Sequence, residues 1–273
     1  MRIQILSSNS HSEKAGSIVC VGLGMILGSH IAPLSQQFIQ QADVVFMSVT
    51  DPLTEAWVRK MNPKCQSLQI FYADGKDRRK SYQEMVDTVM AEVELGKNVV
   101  AAFYGHPGVF AWAPHKIIEL AKLKGYHGHM EPGISAEDCL YADMAIDPGR
   151  WGAVHLEASQ FMLYERKVDE SAYLILWQLG FVGDLSMSKY ETDAAYRHLL
   201  QELLTEYYPP THKIAIYESP TLPTETPRIE WFPLNQLSLI SVEHFSTLVI
   251  PPSIPKKIDA EMHRKMKNLS KVQ

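Results

Sequence analysis

The sequence predicts an α/β protein of two α/β lobes with a ligand cleft between them, and three observations predict it. Short apolar runs that read as buried strands alternate with helical stretches through the first half. After Pro132-Gly133 the rhythm changes, and strand-like runs follow one another more closely. Between the two patterns lies a turn cluster, Ile146-Asp147-Pro148-Gly149-Arg150, a candidate linker. Strands apolar on both faces and separated by helices belong to parallel sheets, whereas strands that follow strands suit a mixed sheet. The expected divisions are an N-terminal lobe over 1–131, a C-terminal lobe over 132–253 and a tail over 254–273.

Each element has a local reason. Ser17–Val21 is an apolar run ending in Gly22-Leu23-Gly24, a buried strand feeding a glycine turn, and Pro33–Gln41 is helical. Asp43–Val49 is a second buried strand, followed by a helix over Pro52–Met61. Ser81–Leu95 is the clearest helix, since Tyr82, Met85, Val86, Val89, Met90 and Val93 recur at three- and four-residue steps. Ser81 with Glu84 three residues on predicts its N-cap, and Gly96-Lys97 its end. Asn98–Phe103 is a further strand, Pro114–Lys124 a helix and Tyr126–Met130 a short strand. In the second half, strands are predicted at Ala153–Leu156, Tyr173–Trp177, Lys213–Tyr217 and Ser246–Ile250, with a helix over Asp193–Tyr207.

Composition narrows the function classes. With 46% hydrophobic and 21% charged residues, the 273-residue chain is ordinary for a globular enzyme and long enough to bury a core without staples. A net charge of −5 gives no global field for nucleic acid or an anionic membrane. Met1–Gly16 is polar and lacks the apolar centre of a secretory signal, and no apolar run is long enough to span a bilayer. Cys20, Cys65 and Cys139 fit neither a disulfide framework nor a zinc spacing, so reduced thiols and a cytoplasmic location are expected. The 11 histidines include no metal-binding arrangement; His127 and His129, the nearest pair, read as surface. The tail from Ile254 carries six basic residues against two acidic ones and reads as a solvated helix or as a docking arm for an acidic partner.

Three turns carry the chemistry. Gly22-x-Gly24-x-x-x-Gly28 follows a strand and precedes a helix, where glycines let backbone amides approach an anionic ligand. Its spacing is not the dinucleotide fingerprint, and no acidic residue closes the second strand about twenty residues on, which disfavours a nicotinamide cofactor. Tyr104-Gly105-His106-Pro107-Gly108-Val109-Phe110 and Glu131-Pro132-Gly133-Ile134-Ser135-Ala136-Glu137-Asp138 each follow a strand as well. In an open parallel sheet the carboxyl ends of the strands share one edge, so these loops converge on one small-molecule ligand. His106 beside its Pro-Gly turn reads either as a catalytic group or as a ring that satisfies backbone groups, the commoner role.

Taken together, GLGMILG, YGHPGVF and PGISAEDC resemble the glycine loop and signatures of the tetrapyrrole methylase superfamily, often with Asp where His106 stands. The stretch from Phe71-Tyr72-Ala73-Asp74-Gly75-Lys76-Asp77-Arg78 through Ser81-Tyr82-Gln83-Glu84-Met85 is similar to the borosin peptide N-methyltransferases. So are Glu157–Phe161, Leu176–Gly180 and Ser246–Pro252. The resemblance covers about Gly16–Ser253 and implies a tetrapyrrole-methylase-like fold with a cofactor cleft. It also implies S-adenosyl-L-methionine as methyl donor, S-adenosyl-L-homocysteine as product, and backbone amides of a ribosomal precursor peptide as substrate. Fungal members carry that peptide as a C-terminal extension; here the tail is rich in Lys and Met, which implies a separate precursor chain as in bacterial split systems. A homodimer, or a heterotetramer with two precursor chains, is implied too. By matching position the catalytic cluster falls on Tyr72, Arg78, Tyr82 and Tyr104, with Arg78 preferred to Arg79 by register. Donor contacts fall on Gly22, Gly24, Tyr104, His106, Val109, Phe110, Ser135, Ala136, Gln178 and Thr247.

These residue types suit the chemistry. A peptide nitrogen is a poor nucleophile because its lone pair is delocalised into the carbonyl. A phenol is closer in acidity to an amide than a carboxylate is, and a neighbouring guanidinium favours the phenolate. Two other readings stand beside this one: methylation of a tetrapyrrole or another small molecule on the same fold, and a peptide-binding module without catalysis. Without the resemblance, Tyr82 on the apolar stripe and Tyr72 at a strand end read as packing residues.

Overall fold

A computed structural model of the chain describes residues 16–49 and 51–270. The polar stretch before Gly16, expected not to be a signal, lies outside the described residues, as does Lys271 of the tail. The chain divides into two compact units. The first holds residues 16–143 together with Ser186–Lys189 and Ser219–Pro227; the second holds Met144–Leu185, Tyr190–Glu218 and the chain from Arg228. The main division therefore falls a helix beyond the 131/132 boundary expected above, which keeps the PGISAED loop with the first unit.

The first unit runs β1 (Ser17–Gly22), α1 (Pro33–Gln41), β2 (Val44–Ser48), α2 (Pro52–Met61), β3 (Cys65–Ser67), a 3-10 turn (Leu68–Phe71) and α3 (Arg78–Glu94). It continues with β4 (Asn98–Phe103), α4 (Trp112–Leu123), β5 (His127–Met130) and α5 (Ala136–Asp143). Its sheet has the order β3-β2-β4-β1-β5 with every pair parallel. Alternate strand residues feed opposite layers, as the pleat requires. Ile18, Cys20, Phe46, Val99 and Ala101 pack against Met85, Val86, Val89 and Ile117, while Val19, Val21, Val45 and Val100 pack against Ile39 and Val58.

The second unit runs α6 (Pro148–Trp151), β6 (Ala153–Glu157), α7 (Ala158–Leu163), β7 (Tyr173–Trp177), a 3-10 turn (Leu179–Phe181), α8 (Ala194–Thr205) and β8 (Lys213–Glu218). It ends with β9 (Arg228–Pro233), a second 3-10 turn (Leu234–Leu239), β10 (Thr247–Ile250) and α9 (Ala260–Leu269). The sheet order is β6-β7-β10-β8-β9, with β6 and β7 parallel and the remaining pairs antiparallel. This is the mixed sheet the sequence predicts. Its core gathers Leu174, Leu176, Leu200, Leu204, Ile214, Ile216, Phe232 and Leu248. The expected linker is a single helical turn capped by Asp147, whose carboxylate accepts from the Gly149 amide. The tail contains α9, none of whose residues is buried.

One local expectation is corrected. α3 starts at Arg78, a turn before the expected Ser81 cap, because Asp77 lies outside the helix and accepts from the Arg79 amide at 2.9 Å. Ser81 is buried, and its hydroxyl donates to the Phe71 carbonyl at 2.9 Å. A capping pattern in the sequence does not show whether its serine lies at the helix start or one turn inside it.

All three cysteines are free and buried, and burial pushes each thiol up from its ordinary value. Among the described residues no cluster of His, Cys, Asp and Glu could hold a metal ion. No described helix is long and apolar enough to cross a membrane.

Candidate functional site

The loops that follow β1, β4 and β5 meet backbone to backbone. Gly24 donates to the Gly105 carbonyl at 3.2 Å, and Gly105 donates back to the Gly24 carbonyl at 2.9 Å. Both residues are left-handed, at φ +74° and +65°, where only glycine is unstrained. At Gly22 the reason is space: a Cβ there would lie 2.4 Å from the Gly105 oxygen and 2.8 Å from the Gly133 Cα. The parallel sheet thus brings three chain segments far apart in sequence to one point at its carboxyl edge.

Tyr104 stands next to this junction, directly after β4. It keeps 55% of its surface accessible, yet enough protein surrounds the phenol that burial, and next the charge of Tyr82, push its pKa up. Its ring also helps wall a recess of about 30 Å³ with Leu23, Met25, Leu27 and Trp57.

Tyr72 closes the 3-10 turn, its amide donating to the Gln69 carbonyl at 3.0 Å. Arg78 and Tyr82 lie four residues apart at the start of α3 and so share a helix face. The Tyr72 and Tyr82 rings meet edge to face at 6.2 Å. The Arg78 amide donates to the Met187 carbonyl at 2.8 Å, and its guanidinium donates to the Lys189 carbonyl. Arg79 turns instead to Asp77, forming an ion pair at 2.7 Å that holds the Asp77 carboxyl below its usual range. The first unit therefore joins Tyr72 to Tyr82, sets Arg78 on Tyr82's helix face and couples Tyr104 to Tyr82 electrostatically.

The residues matched to donor binding divide between the units. His106 Nδ1 accepts from the Gly108 amide at 2.8 Å, so that nitrogen shapes the turn. Ser135 caps α5: Asp138 accepts from its amide at 2.7 Å and from its hydroxyl at 2.8 Å. Val109 donates to the His106 carbonyl, and Phe110 is left-handed at φ +50° with an exposed ring. Ala136 opens α5. Gln178 and Thr247 belong to the second unit, where the antiparallel pairing of β7 with β10 brings the end of one to the start of the other. Gln178 is left-handed at φ +59°, ψ +43°, a costly conformation for a residue with a side chain. Such a backbone is held by its surroundings; here the following amide of Leu179 donates to the Ser246 carbonyl at 2.9 Å.

Sequence reasoning missed Trp112. It is the first residue of α4, 48% exposed, with its ring nearly parallel to that of Tyr82 at 6.4 Å. The one available signal was a large aromatic at an exposed helix start, two residues after the YGHPGVF signature.

Comparison with known proteins places this geometry. Residues 17–231 match the family of Tetrapyrrole (Corrin/Porphyrin) Methylases. The chain is similar to the methyltransferase/ribosomally synthesized type I borosin cyclic peptide precursor of Coprinopsis marcescibilis, 39% identical over 251 residues, covering 89% of this chain and 64% of that protein. It is also similar to the methyltransferase/ribosomally synthesized cyclic peptide omphalotin A precursor of Omphalotus olearius, 34% identical over 264 residues, with 95% and 63% covered. The chain spans a little under two thirds of the length of these curated relatives. Among solved structures, uroporphyrin-III C-methyltransferase from Thermus thermophilus superposes with a TM-score of 0.62 at 15% identity, covering 87% of this chain and 93% of that one. Precorrin-6Y methylase from Archaeoglobus fulgidus gives 0.58 at 14% identity, with 87% and 98% covered; both likenesses speak to the fold. With more than half of its length matched by the family and an architecture to suit, the chain belongs to the tetrapyrrole methylases.

Proposed function

We propose that this protein is an S-adenosylmethionine-dependent methyltransferase that N-methylates backbone amides of a precursor peptide supplied as a separate chain. The reading rests on the aromatic cluster. Tyr72 and Tyr82 meet edge to face with Arg78 one helical turn before Tyr82, and Tyr104 links them to the glycine junction. The borosin names of the relatives support a peptide substrate.

The residues fit the methyl donor in kind. Glycine loops offer backbone groups to its charged end, and Val109 and Phe110 offer apolar surface to its base. Gln178 and Thr247 complete the set in the reading taken from the family resemblance. When bound, S-adenosylmethionine supplies an electrophilic methyl on a sulfonium whose leaving group is a neutral thioether.

The chain's own groups prepare the nucleophile. Tyr72 or Tyr82, as the phenolate that the Arg78 guanidinium favours, would accept the proton of the substrate N–H, so that nitrogen gains a bond to the methyl carbon as it loses one to hydrogen and the carbon's bond to sulfur breaks. Arg78 stabilises the negative charge that grows on the amide oxygen during that loss. Burial, and next the charge of Tyr82, push the Tyr104 pKa up and favour its protonated form. It serves as a donor that orients substrate or methyl donor.

The test is incubation with donor and a candidate precursor, read by peptide mass spectrometry as single-methyl steps. Tyr72→Phe and Arg78→Ala should each lose about a hundredfold or more in rate, the scale of general-base and oxyanion contributions. Full rate in both variants would remove the cluster from the chemistry.

A further inference from the structure

We infer that Trp112 is a positioning residue of this site, a flat wall against which the peptide group to be methylated is laid. The inference rests on the peptide-substrate reading above and deepens it.

Nothing in the fold asks for a tryptophan at this place. Trp112 is the first residue of α4; the core of that helix is made by Ala113, Pro114, Ile117 and Ala121. Its N-cap, Ala111, offers no side-chain bond, so the position has no capping duty either. Nearly half of the residue stays accessible, an unusual exposure for the largest apolar side chain. Phe110, two residues earlier, is itself left-handed at φ +50° with its ring 42% exposed.

What the indole does touch is informative. Its plane lies 28° from that of Tyr82 at a centroid distance of 6.4 Å, and Tyr82 in turn meets Tyr72 at 86°. A near-parallel, offset pair joined to an edge-to-face pair is a favourable aromatic arrangement. It fixes the Tyr82 phenol while leaving indole surface uncovered. The indole N–H makes no hydrogen bond among the described residues, so the exposed part combines a flat apolar surface with an available donor. A peptide group has the matching form: planar by its resonance, and carrying a carbonyl acceptor in that plane. A tyrosine that removes an amide proton needs that amide held in one orientation, and a wall stacked on the tyrosine itself holds it at the shortest lever arm.

The experiment compares Trp112→Ala and Trp112→Phe with the wild type in steady-state peptide methylation, alongside calorimetry with S-adenosylhomocysteine. Trp112→Ala should raise KM for the peptide or lower kcat by about tenfold, the scale of one aromatic stacking contact, with S-adenosylhomocysteine affinity and melting temperature within twofold and 2 °C of wild type, roughly. Trp112→Phe keeps a flat ring without the donor and should recover most of the loss. An alanine variant with wild-type kcat and KM overturns the inference and leaves the function standing. So does one whose S-adenosylhomocysteine affinity falls in step, since the ring would then serve the donor side. A wild-type protein that binds S-adenosylhomocysteine but methylates no peptide overturns both.

Discussion

The two units solve the task of presenting loops in different ways. In the first, every strand is parallel, so the segments after β1, β4 and β5 leave the sheet at the same edge and press together at Gly22, Gly24, Gly105 and Gly133. In the second, only β6 and β7 run parallel, and the antiparallel β10 brings its start beside the end of β7, so the matched residues come as one pair from two neighbouring strands. Gln178 comes from the end of β7 and Thr247 from the start of β10. A parallel sheet thus builds a dense constellation, suited to chemistry that needs several groups at once. The mixed sheet delivers fewer groups at one point, suited to binding.

That contrast can be broken by asking which kinetic constant each unit governs. The largest effect is expected from the triple variant Tyr72→Phe, Tyr82→Phe, Arg78→Ala, which removes both candidate proton acceptors and the charge support together. Methyl transfer should fall by about a thousandfold with S-adenosylhomocysteine affinity unchanged, and single-turnover mass spectrometry checks it. Next is Gly22→Ala. Its methyl would overlap the Gly105 oxygen and Gly133 backbone, neither able to swing aside, so a loss of ~1–3 kcal/mol in stability and of donor binding is expected in a thermal melt and by calorimetry. In the second unit, Gln178→Gly removes the side chain while easing the left-handed backbone. It should weaken S-adenosylhomocysteine by about fivefold, the scale of one hydrogen bond, and leave the peptide KM alone. If it instead lowers kcat as far as the tyrosine variants do, the division of labour between the units fails.

The smallest effect probes the second core away from any site. Tyr208 is buried at 1% exposure, and its hydroxyl finds no hydrogen-bond partner among the described residues. Tyr208→Phe should raise stability by about 1 kcal/mol, read as a melting temperature higher by roughly 2–4 °C. Burial first, then Glu170 and Asp169, push the phenol up to about 12. Folding thus favours the protonated form, and its contribution is whole below the ordinary phenol value near 10. Above that the unfolded chain ionises first, so stability falls with rising pH until about 12 is passed. The phenylalanine variant should lack this slope.

Much of the architecture was legible because buried strands announce themselves by unbroken apolar runs. SIVCV, DVVFMSV and NVVAAF all form central strands of the parallel sheet, and the lack of alternation in them reflects cover on both faces. What stayed hidden was short or at an edge. β3 is three residues, Cys-Gln-Ser, without an apolar run, and β9 is an edge strand that interrupts its apolar residues with Arg228 and the exposed Glu230 and Trp231. The start of α3 was misplaced because the Ser81–Glu84 spacing fits a capping pattern although Ser81 lies inside the helix. Its buried position beside the Phe71 carbonyl shows this. The convergence of the glycine loops followed from the parallel sheet, whereas the stacking of Trp112 on Tyr82 depends on how α3 and α4 lie together, which no spacing in the chain encodes.

A junction made of bare backbone also sets where this protein can change over generations. A side chain at Gly22 or Gly133 would run into the Gly105 oxygen and into the other glycine, and Gly105 itself is left-handed, so none can be exchanged to suit a new substrate without clash or strain. Diversification is pushed outward, to solvent-facing side chains such as Trp112. A library built on such outer positions would explore new specificities while inheriting the junction intact.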